Sequence, residues 1–434
     1  MVSLIKNPRI QQRRVVVVGQ GYVGLPLAVR AAEVGHRVVG LDVDAERVKR
    51  LMLGESYVED IPDTRLAPLL ASGAYRPSID VSDCAEFEIG IVTVPTPLRD
   101  GVPDLSHVED AARMLGRHLR PGATVVLEST TYPGTTEELF GPLLERASSL
   151  TAGPDFHLGY SPERIDPGNA DWKLENTPKV ISGIDTASTE AVRRFYSSLV
   201  DTTVPVTSCK EAELTKLLEN TFRHVNIALA NELAIFAHEL DIDVWAAIDA
   251  ASTKPFGFMR FTPGPGVGGH CLPIDPSYLS WRVQRTLGRN FRFVELANDV
   301  NNHMPDYVVR RLVDGLNERK KSLNGSRILL LGLAYKANTG DARETPAARI
   351  AELLTGMGAE VQAADPHVVD DAHPRAADLE TVERVEVTPG RLAAADAVVL
   401  LADHDAFDYP AITAHAPYIL DCRRRLVGAH VDSL

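Results

Sequence analysis

Val15-Val16-Val17-Val18-Gly19-Gln20-Gly21-Tyr22-Val23-Gly24 is the stretch from which the fold is read. Four β-branched residues make a buried strand, and the glycines after it make a turn. A small-residue helical pattern follows, Leu27 to Val34, and closes at Gly35. A second apolar run, Arg37 to Leu41, ends at Asp42. Strand, turn, helix and strand in this order predict a parallel sheet.

Working outward, further strands are expected at Glu88–Val94, Ala123–Glu128, His157–Tyr160, Lys179–Ser182 and Thr203–Val206. Cys209 to Leu240 breaks the alternation and reads as one long helix without internal Gly or Pro. Helical patterns continue at Asp243–Ala251 and about Ser277–Thr286, and another begins near Pro305. Alternation returns with a strand at Arg327–Gly332, a helix at Ala347–Met357 and strands at Glu360–Ala364, Ala397–Leu401 and Tyr418–Leu420. The expected fold class is α/β: two Rossmann-like doubly wound domains joined by a long central helix and a helical middle domain.

Composition narrows the function. The 434 residues carry 45 Lys+Arg against 59 Asp+Glu, a formal net charge of −14. That balance argues against a general nucleic-acid or anionic-membrane binder. It leaves room for a phosphate-bearing small ligand, which needs only local N–H groups and charge. No apolar run is long enough to span a bilayer, and Met1 to Arg14 lacks the apolar core of a signal peptide. Four cysteines without a CxxC pair argue against a disulfide framework and point to a cytoplasmic setting.

The glycine turn is the first chemical motif. Gly19 permits the bend, Gly21 lets a diphosphate approach the backbone, and Gly24 lets the helix pack on the strand. Asp42, at the end of the second strand, is placed to accept hydrogen bonds from ribose hydroxyls and to repel a 2′-phosphate, which favours NAD over NADP. Arg47 lies one turn further on. Thr93-Val94-Pro95-Thr96-Pro97 and Ser129 to Thr136 each follow a strand, where open sheets bind ligands. Ordinary strand-to-helix turns, with Thr135 or Thr136 as N-cap, account for both segments equally well. Ser161-Pro162-Glu163-Arg164 follows another strand, and Glu163 is either a base or a surface carboxylate.

Glu213, Lys216, Asn220 and His224 form one polar stripe on the long helix, whose other faces carry Leu214, Leu218, Ile227, Leu229 and Leu233. The pattern suggests a stripe facing a wet cleft, with Lys216 and Asn220 converging on one oxygen. Gly264-Pro265-Gly266-Val267-Gly268-Gly269-His270-Cys271 strips side chains from the backbone before a cysteine. This reads as room for a ligand beside a nucleophilic thiol, near the start of a helix at about Pro276. Asp275 is placed to manage a proton, and no further Cys or His lies at metal-ligand spacing. In the last domain Lys336 and Arg343 share a loop, either a second diphosphate site or an exposed charged turn. A thiol beside a dinucleotide site has a clear use. Its addition to an aldehyde permits loss of hydride to a thioester, which water converts to an acid.

These residues resemble the UDP-glucose/GDP-mannose dehydrogenase family of nucleotide-sugar 6-dehydrogenases over nearly the whole chain. The resemblance rests on GQGYVG at 19–24, TVPTP at 93–97, SPER at 161–164, the Lys216/Asn220 helix, GVGGHC at 266–271 and YKANTGDARE at 335–344. STTYPGTT, SPERIDPGN and PGPGVGGHCLPIDP are most similar to the branch that oxidises UDP-N-acetylglucosamine. The resemblance implies an NAD-binding domain at 1–205, a central helical domain for dimerisation and catalysis at 206–305, and a UDP-binding domain at 306–434. It implies four-electron oxidation of a sugar C6 alcohol with two NAD per substrate.

Cys271 is then the nucleophile, Lys216 stabilises oxyanions and Asn220 holds the sugar oxygen. Asp275 and Thr130 position water, with Thr131 an alternative to Thr130, and Glu163 helps thioester hydrolysis. Asp42 and Arg47 bind the adenosine ribose, with Tyr22, Val23, Thr93, Pro95, Thr96 and Thr130 as further cofactor contacts. Arg164, Gly268, Lys336 and Arg343 are substrate contacts. A homodimer or larger assembly through the central helix is implied. His270, and Arg424 in Asp421-Cys422-Arg423-Arg424, depart from the better-known UDP-glucose branch. Other readings are a UDP-glucose or dTDP-glucose 6-dehydrogenase, a two-electron dehydrogenase, and a binding protein without turnover.

Overall fold

The computed structural model describes residues 11–434 apart from 59, 100, 166–168, 170, 270, 271, 273, 369–378, 380 and 381. The chain divides into two compact units, the first ending at Glu219 and the second running from Asn220 to Leu434.

In the first unit, β1 (Arg14–Val18), β2 (Arg37–Leu41), β3 (Tyr75–Ser78), β4 (Ile89–Val92), β5 (Thr124–Leu127), β6 (His157–Tyr160), β7 (Lys179–Gly183) and β8 (Thr203–Pro205) form one sheet. Its order among the described residues is β8-β7-β6-β5-β4-β1-β2-β3. Every pairing is parallel except β6 with β7. The valines of β1 explain the layering. Val15 and Val17 join one apolar cluster with Leu25 and Ile91, and Val16 and Val18 join another with Leu115 and Phe140. A strand buried on both faces needs no polar alternation, and each valine contributes roughly 1.5–3 kcal/mol of burial. β3 was not expected from the sequence, because Arg76 and Pro77 interrupt its pattern. It is an edge strand, where a proline costs no ladder hydrogen bond.

The second unit repeats the plan. β9 (Arg327–Leu331), β10 (Glu360–Ala364), β11 (Glu383–Arg384), β12 (Ala397–Leu400), β13 (Ile419–Asp421) and β14 (Val431–Ser433) pair in the order β11-β10-β9-β12-β13-β14, all parallel. Ile328 and Leu330 face one core while Leu329 and Leu331 face the other. One helix differs from expectation. It spans Arg292–Glu318 and carries Pro305 inside it, rather than beginning there. Met304, Tyr307 and Val308 are buried around that proline, so packing outweighs the missing N–H.

At the end of β10, Asp365 is fully engaged by its own unit. Its Oδ2 accepts from the N–H groups of Leu333 and Ala334 and from His404 Nε2, and its Oδ1 accepts from the N–H groups of His367 and Val368. Asn338 donates its N–H to His404 Nδ1, which leaves the ring proton on Nε2. Burial opposes ionisation of Asp365, but His404 and the N–H donors outweigh it and hold the carboxyl well below the usual range. A depressed carboxyl stabilises the fold above its unfolded value, about pH 4, and the contribution is lost as pH falls through and below that value. Asp365→Asn should therefore cost about 3 kcal/mol near neutral pH. The deficit against the parent should shrink on acidification, as measured by denaturant melts at a series of pH values.

The long helix, Cys209–Glu239, turns its polar stripe inward and its leucines outward. Glu213, Lys216, Asn220 and His224 are buried, whereas Leu214, Leu218, Leu229 and Leu233 are exposed, together with Phe222 and Phe236. The leucines are an outward apolar stripe, not a packed face. No helix among the described residues is long and apolar enough to cross a membrane.

Candidate active site

Four segments singled out in the sequence follow β1, β4, β5 and β6, which are neighbours in the first sheet. Parallel pairing brings the Gly19–Gly24 turn, Thr93–Pro97, Ser129–Thr136 and Ser161–Arg164 to one carboxyl edge. Ligands of open α/β sheets bind at this edge.

The turn is built for close approach. Gly19 has φ +92°, and a Cβ on Gly24 would lie 1.8 Å from the Gly19 carbonyl oxygen and 2.5 Å from Thr93 Oγ1. Thr93 Oγ1 donates to the carbonyls of Val18 and Gly19. A Cβ on Gly21 would meet nothing within 4 Å, so the backbone there is open. Gln20 is buried and locks the turn. Its N–H donates to Asp42 Oδ2 at 2.7 Å, its side-chain oxygen accepts from Tyr75 at 2.8 Å, and its carbonyl accepts from Tyr57. Asp42 Oδ1 accepts from the N–H of Asp44, and Arg47 Nη1 lies 3.1 Å from Asp42 Oδ2.

The helix that starts at Gly24 has Val23 before it and no side-chain cap, and Tyr22 and Val23 are half-buried. An uncapped helix start, an open Gly21 and a strand-end carboxylate fit a dinucleotide. Pro95 is exposed, and Thr96 Oγ1 donates to the Thr130 carbonyl at 2.8 Å, which ties the two neighbouring loops together.

Neither Thr135 nor Thr136 is a side-chain cap, contrary to one expected alternative. Glu213 takes that place: it accepts from the N–H groups of Gly134 and Thr136 and from Thr136 Oγ1 at 2.6–2.8 Å. Glu213 thus faces its own unit's loop rather than a wet cleft. Burial pushes its carboxyl up to about 7 against those three donors. Thr131 Oγ1 is buried with no hydrogen-bond partner among the described residues, whereas Thr130 is half-buried. Lys216 is 8% exposed, and among the described residues nothing pairs with its ammonium.

Glu163 is buried, not a surface carboxylate. Its Oε1 accepts from the N–H groups of Arg164 and Ile165, and its Oε2 lies 3.5 Å from Lys179 Nζ. Lys179 also lies 2.6 Å from Glu128 Oε1, which accepts from the Tyr196 hydroxyl at 2.6 Å. Burial opposes the Lys179 charge, but Glu128 and Glu163 outweigh it and raise its pKa. The sequence reading missed Lys179, Glu128 and Tyr196. The available signal was Lys179 itself, a charge opening an otherwise apolar strand, since buried lysines are nearly always paired. Arg164 donates to the Pro178 carbonyl and pairs with Glu219 at 2.7 Å.

In the second unit Asn220 Nδ2 donates to Asp275 Oδ2 at 2.5 Å, joining two expected site residues 55 positions apart. Both are buried, and Asp275 opens the helix Asp275–Leu287. The glycine loop is anchored by Asn231, whose side-chain oxygen accepts from the Gly264 N–H at 2.9 Å. Its glycines also meet other parts of the protein closely. A Cβ on Gly268 would lie 2.6 Å from the Glu344 carbonyl oxygen and 2.7 Å from Tyr335 Cβ, and the Gly269 N–H donates to the Arg343 carbonyl. The glycines admit another loop of the protein. That contact joins Gly268 to the Lys336–Arg343 segment, where Arg343 pairs with Asp341 at 2.6 Å and Lys336 is half-buried. Cys271 and His270 lie outside the described residues.

Residues 13–200, 210–303 and 329–427 match in turn the NAD binding, central and UDP binding domains of the UDP-glucose/GDP-mannose dehydrogenase family. The chain belongs to this family. It is accordingly an NAD-dependent nucleotide-sugar dehydrogenase, an oxidoreductase acting on CH–OH groups. Among its relatives, a UDP-N-acetyl-D-mannosamine dehydrogenase of Pyrococcus horikoshii is 36% identical over 395 residues, 91% of this chain and 90% of that one. A UDP-N-acetyl-D-glucosamine 6-dehydrogenase of Pseudomonas aeruginosa is 38% identical over 357 residues, 82% of this chain and 83% of that one. The solved structure of the Pyrococcus horikoshii UDP-D-ManNAc dehydrogenase aligns with TM-score 0.87 at 33% identity, covering 97% of this chain and 98% of that one.

Proposed function

We propose that this dehydrogenase oxidises C6 of a UDP-N-acetylhexosamine, UDP-N-acetylglucosamine first, from alcohol through aldehyde to carboxylate. Relatives named for the glucosamine and the mannosamine sugars support the acetamido class. The observation that carries the chemistry is the Asn220–Asp275 contact, four residues after Cys271.

NAD, when bound, accepts hydride in each of the two oxidations. The Gly19–Gly24 turn and the uncapped helix start hold its diphosphate, and Asp42 with Arg47 holds the adenosine ribose. Tyr22, Val23, Thr93, Pro95 and Thr96 line the same edge. Gly268, Lys336, Arg343 and Arg164 contact the nucleotide sugar. The C6 hydroxyl gives its proton toward Asp275, by way of a water that Thr130 helps position. The Cys271 thiolate then adds to the aldehyde carbon and forms a C–S bond, while Lys216 and Asn220 stabilise the oxyanion. Loss of hydride leaves a thioester. Glu163 takes a proton from water as it attacks the thioester carbon, the C–S bond breaks, and carboxylate and thiolate are released.

Stoichiometry tests the reading. Two NADH per nucleotide sugar are expected, across a panel of UDP-N-acetylglucosamine, its C2 epimer, UDP-glucose and dTDP-glucose. One NADH would show arrest at the aldehyde, none a binding protein, and turnover confined to UDP-glucose a different sugar pocket.

The exposed stripe on Cys209–Glu239 supports a homodimer or larger assembly, since a monomer gains nothing from a row of outward leucines. Leu229→Glu with Leu233→Glu should shift the mass measured by light scattering to that of a single chain.

A further inference from the structure

The cluster beneath Glu163 has a composition that a merely structural core does not need. Glu128, Lys179 and Tyr196 are nearly or fully buried and come from the loop after β5, from β7 and from the helix Thr186–Tyr196. Glu128 directly follows the last residue of β5. Lys179 Nζ stands between two carboxylates, 2.6 Å from Glu128 Oε1 and 3.5 Å from Glu163 Oε2. The Tyr196 hydroxyl donates to the same Glu128 Oε1, and its ring lies 5.3 Å from the same ammonium. Glu128 Oε2 has no partner among the described residues. Among the described residues, the neighbouring Arg164 guanidinium turns to the Pro178 carbonyl and Glu219. Two carboxylates therefore share one ammonium in a dry place, and taking each charge out of water is costly.

We infer that Lys179 is a positioning residue for acid formation: shared with Glu128, its ammonium fixes the orientation and charge of the Glu163 carboxylate that takes the water proton. The inference rests on the reading of Glu163 given above. Glu163 Oε1 is held by two backbone N–H groups, so Oε2, on the Lys179 side, is the oxygen whose direction and charge the ammonium governs. An opposite charge favours the ionised form of a neighbour and a like charge disfavours it, so the two partners of Glu163 act in opposite senses.

Single-turnover release of carboxylate from the thioester, followed by quenched flow across pH, separates this from a packing role. Lys179→Met leaves two buried carboxyls facing each other. The acid limb of the release rate should move up by roughly one to two pH units, with about tenfold or greater loss near neutral pH. Lys179→Arg should return the limb to its place. Glu128→Gln keeps the shape and removes the competing charge, so the limb should move down. This variant carries the test if Lys179→Met does not fold. An unmoved limb in Glu128→Gln, or movement in the same direction as Lys179→Met, overturns the inference. Glu163→Gln separates it from its premise. A release slowed by roughly 100-fold supports the role of Glu163. Release at the parent rate overturns that role, and the inference with it.

Discussion

Replacing Cys271 with alanine is expected to lower carboxylate formation by roughly 10⁴-fold or more, the scale on which loss of the nucleophile acts in other covalent catalysts. An aldehyde carbon bears no group that converts directly to carboxylate on loss of hydride. A tetrahedral adduct must form first, and sulfur forms it faster than water does at neutral pH. The variant should still bind NAD with the parent affinity, because the glycine turn, Asp42 and Arg47 belong to the first unit and Cys271 follows a loop of the second. Nucleotide-sugar turnover followed by NADH absorbance and NAD binding followed by fluorescence titration read the two halves separately. Undiminished acid production by Cys271→Ala would remove the thiol from the mechanism.

Gly24→Ala is expected to weaken the fold and cofactor binding together. The added methyl would sit 1.8 Å from the Gly19 carbonyl oxygen, far inside contact distance. Neither group can step aside cheaply. The Gly19 carbonyl accepts from Thr93 Oγ1, and the Gly19 N–H donates to the Leu41 carbonyl, so moving it disturbs two neighbouring strands. The helix would have to lift from β1. Forced overpacking of this kind costs about 1–3 kcal/mol. The displaced helix start should also weaken NAD binding by at least about tenfold, through loss of aligned N–H donors. Thermal melts and NAD titration measure both. Gly21→Ala is the internal contrast: its methyl meets no protein atom within 4 Å, so it should leave the melt nearly unchanged and impair only cofactor binding.

Local chemistry explains which parts were legible in the sequence. A valine run, a glycine turn and an acidic strand end lie within one stretch, and each residue's role there is set by its immediate neighbours. The loops after β4, β5 and β6 could be placed because parallel strands carry their loops to one edge. What lay hidden depends on partners distant in the chain. Nothing near Lys179 announces Glu128, 51 positions earlier, or Tyr196 on the following helix. The same applies to the long helix. Its periodicity distinguishes a polar stripe from an apolar one but not which of them is buried, and the polar residues were the ones turned inward. Pro305 reads as a helix start because its cost is local, whereas the packing that carries the helix through it is not. The glycines of 264–269 correctly signalled close approach, but a glycine does not say whether a ligand or the protein itself comes near.

Asp365 closes a strand of the second sheet much as Asp42 closes one of the first, yet its lone pairs are already taken by five donors of its own unit. A visiting ribose would find no acceptor left there. The repeated architecture thus does not repeat the ribose grip: at this second strand end a coenzyme hydroxyl would first have to displace a donor the fold already uses.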